Sequence, residues 1–152
     1  MNILFVCLGN ICRSPLADGL MREFVKNQNL DWTVDSAGTG NWHSGEAPDI
    51  RAQKIAKKNG IDISTLVARQ FSMDDFDTFD VIYAMDASNY NDLRKLCRND
   101  QDLSKIKLFL NELNPGKNEG VVDPWFDDKL FEPVFLQIKQ TCEQILNRYS
   151  VK

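Results

Sequence analysis

A single α/β domain, built as a doubly wound four-stranded parallel sheet flanked by helices on both faces, is the fold class this sequence predicts. Three observations predict it. Short apolar, β-prone runs alternate with longer amphipathic stretches from end to end, the first such run passes into a helix through a tight loop, and no repeat, linker or low-complexity tract interrupts the alternation. With 152 residues and 43% hydrophobic content, residues 1–152 fit one domain around one core.

The elements follow in order. Asn2 to Val6 reads N-I-L-F-V, a run suited to a strand over 2–7 buried on both faces of a parallel sheet. Ser14 suits a helix N-cap and Pro15 a first helical position, and Leu16, Leu20, Phe24 and Val25 recur as one apolar stripe, predicting a helix over about 14–28. Thr33 to Asp35 reads as a second strand, and Ser36 to Pro48 as a Gly/Ser-rich loop. Between Asp49 and Asn59, Ile50, Ala52, Ile55 and Ala56 interleave with basic residues as in a surface helix that Gly60 ends. Arg51, Lys54, Lys57 and Lys58 read as the solvated face of that helix. Val81 to Met85 is a third buried strand, Asp86 to Cys97 is helical, Ile106 to Leu110 is a fourth strand, and Pro133 to Arg148 is a long amphipathic closing helix.

Charge and composition narrow the function classes. Eighteen basic residues against twenty-two acidic ones give a net charge of −4, which argues against a general nucleic-acid surface. No apolar span of about 20 residues exists to cross a membrane, and the N-terminus lacks the features of an export signal, so a cytoplasmic protein without membrane attachment is expected. Cys7, Cys12, Cys97 and Cys142 fall at scattered spacings, as in a reduced chain rather than a disulfide framework. His43 is the sole histidine, so any Cys-His dyad or histidine-rich metal centre would have to use it, and its loop position beside Trp42 reads as a pocket rim.

The chemistry concentrates in Cys7-Leu8-Gly9-Asn10-Ile11-Cys12-Arg13 and the Ser14-Pro15 that follows, where the first strand hands over to the first helix. A helix start presents unpaired amides and partial positive charge, so it takes up an oxyanion, and the same field favours thiolate over thiol. Arg13, six residues after Cys7, falls opposite the sulfur on a loop curled around an anion, with a planar fork that holds two oxygens at once. Gly9 permits positive φ and close backbone approach, and Asn10 tolerates a left-handed turn that aims neighbouring amides inward. Ser14 has a hydroxyl to offer the sulfur. The segment from Leu8 to Ser14 is therefore the candidate phosphate cradle. Asp123-Pro124, taken alone, reads as a turn.

The stretch V-C-L-G-N-I-C-R-S-P, residues 6–15, resembles the signature of the low-molecular-weight protein tyrosine phosphatases. Asp35-Ser36-Ala37-Gly38-Thr39, Trp42-His43, Gly60-Ile61, Ala68-Arg69-Gln70, Met85-Asp86 and Asp123-Pro124-Trp125 follow in that family's order across nearly the whole chain. The resemblance implies that Cys7 attacks phosphorus, Arg13 binds the phosphoryl group and Asp123 is the general acid, with no metal or organic cofactor. It also implies phosphotyrosine-containing protein substrates, Ser36 supporting the loop through Asn10, and a pocket formed by Ile11, Trp42 and Trp125. The loop brings Cys12 close to Cys7, so Cys12 reads either as passive filler or as the partner in a protective disulfide under oxidants. Ile11 stands where protein-arginine phosphatases of this fold carry threonine, which favours phosphotyrosine. Two departures accompany the match. Leu66 replaces a histidine that supports the loop in relatives, and Trp125-Phe126 replaces the adjacent tyrosines of eukaryotic relatives, which excludes regulation through them. Three alternatives stay open: an arsenate reductase, which needs a further cysteine pair, a phosphoarginine phosphatase, and a non-catalytic phosphate-binding module or cysteine-phosphorylated transport component. Physiological substrate and oligomeric state are not legible.

Overall fold

Alternation along the first strand decides the layering. Successive side chains of a strand point to opposite faces, so Ile3, Phe5 and Cys7 enter one core while Leu4 and Val6 enter another across the sheet. The computed structural model describes residues 1–150. In chain order its elements are β1 (Asn2–Cys7), α1 (Arg13–Asn27), β2 (Thr33–Gly38), α2 (Ile50–Lys58), α3 (Asp75–Thr78), β3 (Val81–Ala84), α4 (Ala87–Leu96), α5 (Asp100–Lys105), β4 (Ile106–Leu108) and α6 (Phe131–Tyr149). Short 3-10 turns lie at Phe109–Glu112, Pro124–Phe126 and Asp128–Leu130.

The sheet order is β2-β1-β3-β4, every pairing is parallel, and Ile3 is in register with Val34 on one side and Val81 on the other. The first core gathers Leu16 and Leu20 of α1, Ala52 and Ala56 of α2, and Phe135, Ile138 and Ile145 of α6. The second gathers Phe76 of α3 and Leu93 of α4 against Leu4, Val6, Ile82 and Ala84. Helices therefore cover both faces, as expected for a doubly wound domain. Phe5 stacks on Tyr83 at 5.8 Å between centroids and meets Phe109 edge-on at 5.7 Å, filling the first core beneath the sheet. No helix among the described residues is long and apolar enough to cross a membrane.

Several boundaries differ from expectation for physical reasons. Helix α1 starts at Arg13 with Cys12 at the cap and no capping side chain, so Ser14 is not the N-cap and Pro15 takes the third helical position. The Ser14 hydroxyl is instead committed to the cysteine loop. Strand β2 runs on to Gly38, putting Ser36 in the sheet rather than in a loop, because the 35–38 backbone continues to pair with Leu4 to Cys7. Strand β4 stops at Leu108, where the chain tightens into a 3-10 turn that buries Phe109 and Leu110. Helix α6 starts two residues before Pro133, which sits in its first turn, where a missing amide is harmless. Helices α3 and α5 span four and six residues, too short for a periodic apolar pattern to announce them.

The order 2-1-3-4 places the reversal of winding between β1 and β3, and ligands of such sheets bind outside the carboxyl ends of the strands at that point. Cys7 ends β1 there, and Met85 and Asp86 follow β3 beside it.

Candidate active site

From Cys7 the chain turns sharply, and Asn10 adopts the left-handed conformation at φ 57°. Gly9 does not take positive φ; its missing side chain leaves room for His43 instead, whose Cδ2 would lie 3.1 Å from a Cβ at that position. Flanking backbone holds the loop from outside: the amides of Thr39, Gly40 and Asp49 donate to the carbonyls of Cys7, Leu8 and Ile11 at 2.9, 2.9 and 2.8 Å. In a planar trans peptide the next amide points the opposite way, so the N–H groups of Leu8, Gly9 and Cys12 turn inward. Gly38 lies under this turn so closely that a Cβ there would stand 2.7 Å from the Leu8 carbonyl oxygen.

The interior polar network has one consistent direction. Ser36 Oγ donates to Asp18 Oδ2 at 2.8 Å, and Asn10 Nδ2 donates to both Ser36 Oγ and Ser14 Oγ at 3.0 and 2.9 Å. The Arg69 amide donates to Asn10 Oδ1 at 3.0 Å, which fixes the orientation of the side-chain amide. Ser14 Oγ, already accepting from Asn10, has its own proton left for Cys7 Sγ at 2.9 Å. Asp18 also accepts from Arg22. Burial raises the Asp18 pKa, a cost that Arg22 and Ser36 only partly offset. Leu66 packs against the first core, and the Asn10 amide is occupied by Ser14, Ser36 and Arg69.

Arg13 is buried, donating from Nη1 to Asp86 Oδ2 at 2.7 Å and to the Val121 carbonyl at 2.8 Å. Its Nη2 comes within 4.0 Å of Asp123 Oδ2. Burial works against the guanidinium charge, but the Cys7 sulfur, Asp86 and Asp123 outweigh it and raise the Arg13 pKa. Asp86 does two jobs, capping α4 through the Asn89 amide and bracing Arg13. Asp123 accepts from the Trp125 amide at 3.1 Å with Oδ1 and turns Oδ2 toward Arg13.

These groups share one cavity of about 250 Å³, in which Cys7, Arg13 and Asp123 meet Leu8, Ile11, Trp42, His43, Trp125 and Phe126. The base is polar and positive, and the mouth is aromatic. Such a cavity suits a dianion carried on a flat apolar group.

The amino-acid sequence matches the family model for low molecular weight phosphotyrosine protein phosphatase over residues 2–152. The chain belongs to that family. It is 43% identical over 151 residues to a human low molecular weight phosphotyrosine protein phosphatase, covering 97% of this chain and 94% of the relative. It is 40% identical over 148 residues to a Bacillus subtilis low molecular weight protein-tyrosine-phosphatase, covering 96% and 94%. The solved structure of a Drosophila arginine phosphatase superposes with a TM-score of 0.92 at 36% identity, covering 100% of this chain and 99% of that one.

In this phosphatase-family chain most residues of the cavity lining are those expected from the sequence, and several of the supports are not. Cys7, Leu8, Ile11, Cys12, Arg13, Trp42, Asp123 and Trp125 all line the cavity, while Asn10, Ser14 and Ser36 stand behind it. His43 is at the rim, with its ring 5.8 Å from that of Trp125 and its Nδ1 2.9 Å from Glu46. No local pattern marks Asp18 or the Val121 carbonyl as supports, or Phe126 as part of the lining. Arg51 differs from the expected solvated cation: it is held between Asp49, Asp128 and the Trp125 carbonyl. The i, i+4 spacing of Asp18 and Arg22 is the sequence trace of this contact between a buried carboxylate and an exposed guanidinium.

Proposed function

We propose that this chain hydrolyses phosphotyrosine in proteins through a phosphocysteine intermediate. The observation that carries the reading is the convergence of Cys7, Arg13 and Asp123 on one aromatic-walled cavity. The Cys7 thiolate attacks phosphorus while the P–O bond to tyrosine breaks and Asp123 gives its proton to the departing phenolate oxygen. Water then attacks the phosphocysteine, Asp123 takes a proton from it, the S–P bond breaks, and phosphate leaves with the thiolate restored. Inward amides of the 8–13 loop and the Arg13 guanidinium stabilise the equatorial oxygens in both steps. Ser14, 2.9 Å from the sulfur before reaction, stabilises the thiolate when it leaves phosphorus. Ile11, Trp42 and Trp125 take the phenyl ring, and Ser36 holds Asn10 in its turn.

Cys12 has the protective role in this reading. Burial, with Asp49 nearby, pushes its thiol pKa up, so Cys12 stays a neutral thiol until peroxide converts Cys7 to a sulfenic acid. It then displaces water to form the disulfide, which an external thiol reduces. Four free cysteines support a reducing, cytoplasmic setting. A thiol relay of the arsenate-reductase kind finds little support, since Cys97 packs against the second core while Cys142 is buried in the first with its Sγ on the Ala17 carbonyl.

The test compares turnover of phosphotyrosine, phosphoserine and phosphoarginine peptides by the native chain and by Cys7→Ser. Phosphotyrosine turnover by the native chain, with Cys7→Ser inactive yet still binding phosphate, is the expected result. Faster phosphoarginine turnover would replace the substrate assignment, in line with the likeness to the Drosophila enzyme. Residual activity in Cys7→Ser would remove the nucleophile, and inactivity of the native chain would leave a binding module.

A further inference from the structure

Within the loop that carries Asp123, Pro124 is buried but the two residues after it are not: Phe126 is 88% exposed and Trp125 40%. On its upstream side Val121 anchors it, donating its amide to the Met85 carbonyl and accepting from Arg13. On its downstream side the chain re-enters the first core at Leu130 and Phe131, and between those residues and Pro124 the side chain that reaches the loop from another element is Arg51 of α2. Arg51 Nη1 donates to the Trp125 carbonyl at 3.0 Å and to Asp128 Oδ1 at 2.7 Å. Its Nε and Nη2 form a two-pronged bond to Asp49 at 3.0 and 2.9 Å. The guanidinium also lies 5.3 Å from the Trp125 ring centroid and 4.7 Å from that of Phe131.

Asp49 completes the connection. Its backbone amide donates to the Ile11 carbonyl, so the carboxylate that grips Arg51 belongs to the residue that braces the cysteine loop. Arg51 thus spans two loops that carry different parts of the chemistry. A lysine at this position keeps a charge for Asp49 but has no planar fork to reach a carbonyl, two carboxylates and two ring faces together.

We propose that Arg51 is a positioning residue that latches the 123–128 loop onto the cysteine loop, setting where Asp123 meets the leaving oxygen. The proposal rests on the phosphatase reading above. General acid catalysis matters in proportion to the basicity of the leaving group. Tyrosine phenolate needs the proton and dinitrophenolate does not, while both substrates use Cys7 and Arg13 alike.

The experiment measures kcat/KM, which reports the phosphocysteine-forming step, for phosphotyrosine and dinitrophenyl phosphate in the native chain, Arg51→Lys and the milder Asp128→Asn. In parallel, fluorine NMR of fluorotryptophan-labelled protein follows the indole of Trp125, assigned by Trp125→Phe. Arg51→Lys is expected to lose about tenfold on phosphotyrosine, a fraction of what general acid catalysis supplies. Dinitrophenyl phosphate turnover should be unchanged, and the Trp125 resonance should shift while that of Trp32 stays fixed. Asp128→Asn should show the same pattern, smaller. Equal loss on both substrates, or no loss on either, would overturn the latch. Inactivity of the native chain on both substrates would reject the phosphatase reading instead, and the Trp125 resonance would then decide the latch alone: an unmoved signal in Arg51→Lys overturns it.

Discussion

Replacing Asn10 by alanine should unseat the cysteine loop without removing any residue that lines the cavity. Asn10 is almost fully buried and its amide makes three hydrogen bonds, to Ser14, to Ser36 and from the Arg69 amide. Each contributes about 1 kcal/mol net, and more where a buried partner is left unsatisfied, as the Arg69 amide would be. Alanine also pays about 1 kcal/mol to hold the left-handed conformation that Asn10 adopts at φ 57°. The expected loss is about 4 kcal/mol, a large share of the roughly 5–15 kcal/mol typical of a whole domain. For a chain of this size that corresponds to roughly 10 °C in Tm. Urea unfolding followed by tryptophan fluorescence gives the stability, and phosphate titration gives the affinity of the loop. Phosphate affinity should fall with stability, since Ser14 loses the partner that directs its proton toward Cys7. A loss below about 1 kcal/mol, with phosphate affinity intact, would refute the argument that this amide holds the turn.

Two further outcomes test the supports. Gly38→Ala puts a Cβ 2.7 Å from the Leu8 carbonyl oxygen, with backbone on both sides unable to yield, so it should weaken phosphate binding and cost about 1–3 kcal/mol by overpacking, measured in the same titrations. Asp18 has a folded pKa raised by burial, so its titration contributes stability that is present below the ordinary aspartate range and is lost as pH rises through its folded value. The stability of Asp18→Asn relative to the native chain should therefore increase with pH across the carboxylate range, and urea midpoints showing a flat or opposite slope would contradict the assignment.

What the sequence made legible follows from which interactions are local. The apolar run of β1, the stripe of α1 and the loop between them are contiguous, so their pattern carries strand, turn and helix at once, and the nearby Cys7, Asn10 and Arg13 came with them. The supports are not contiguous. Asp86 reaches Arg13 across 73 residues and Ser36 reaches Asn10 across 26, contacts set by strand register rather than by local pattern. Ser14 shows how a local rule fails: its residue type suits a cap, but the hydroxyl serves the cysteine loop and the helix starts without a side-chain cap. Arg51 shows the same in reverse. Its helical position is a surface one next to the capping Asp49, yet Trp125 and Asp128 also surround it because a loop distant in sequence closes over α2.

The backbone tethers of the cysteine loop have a thermal corollary. Thr39, Gly40 and Asp49 fasten it to segments that continue directly from β2 or lead into α2, Arg69 fastens it to a segment bridged to Gly38 at the end of β2, and Asp86 and Val121 fasten its arginine at the end of β3. Most of that set is tied to strand ends, so the loop loosens chiefly when the sheet does. On heating, the capacity to hold an anion should persist undiminished up to the melting transition and vanish within it, so a simple ligand assay on this protein doubles as a thermometer for its global unfolding.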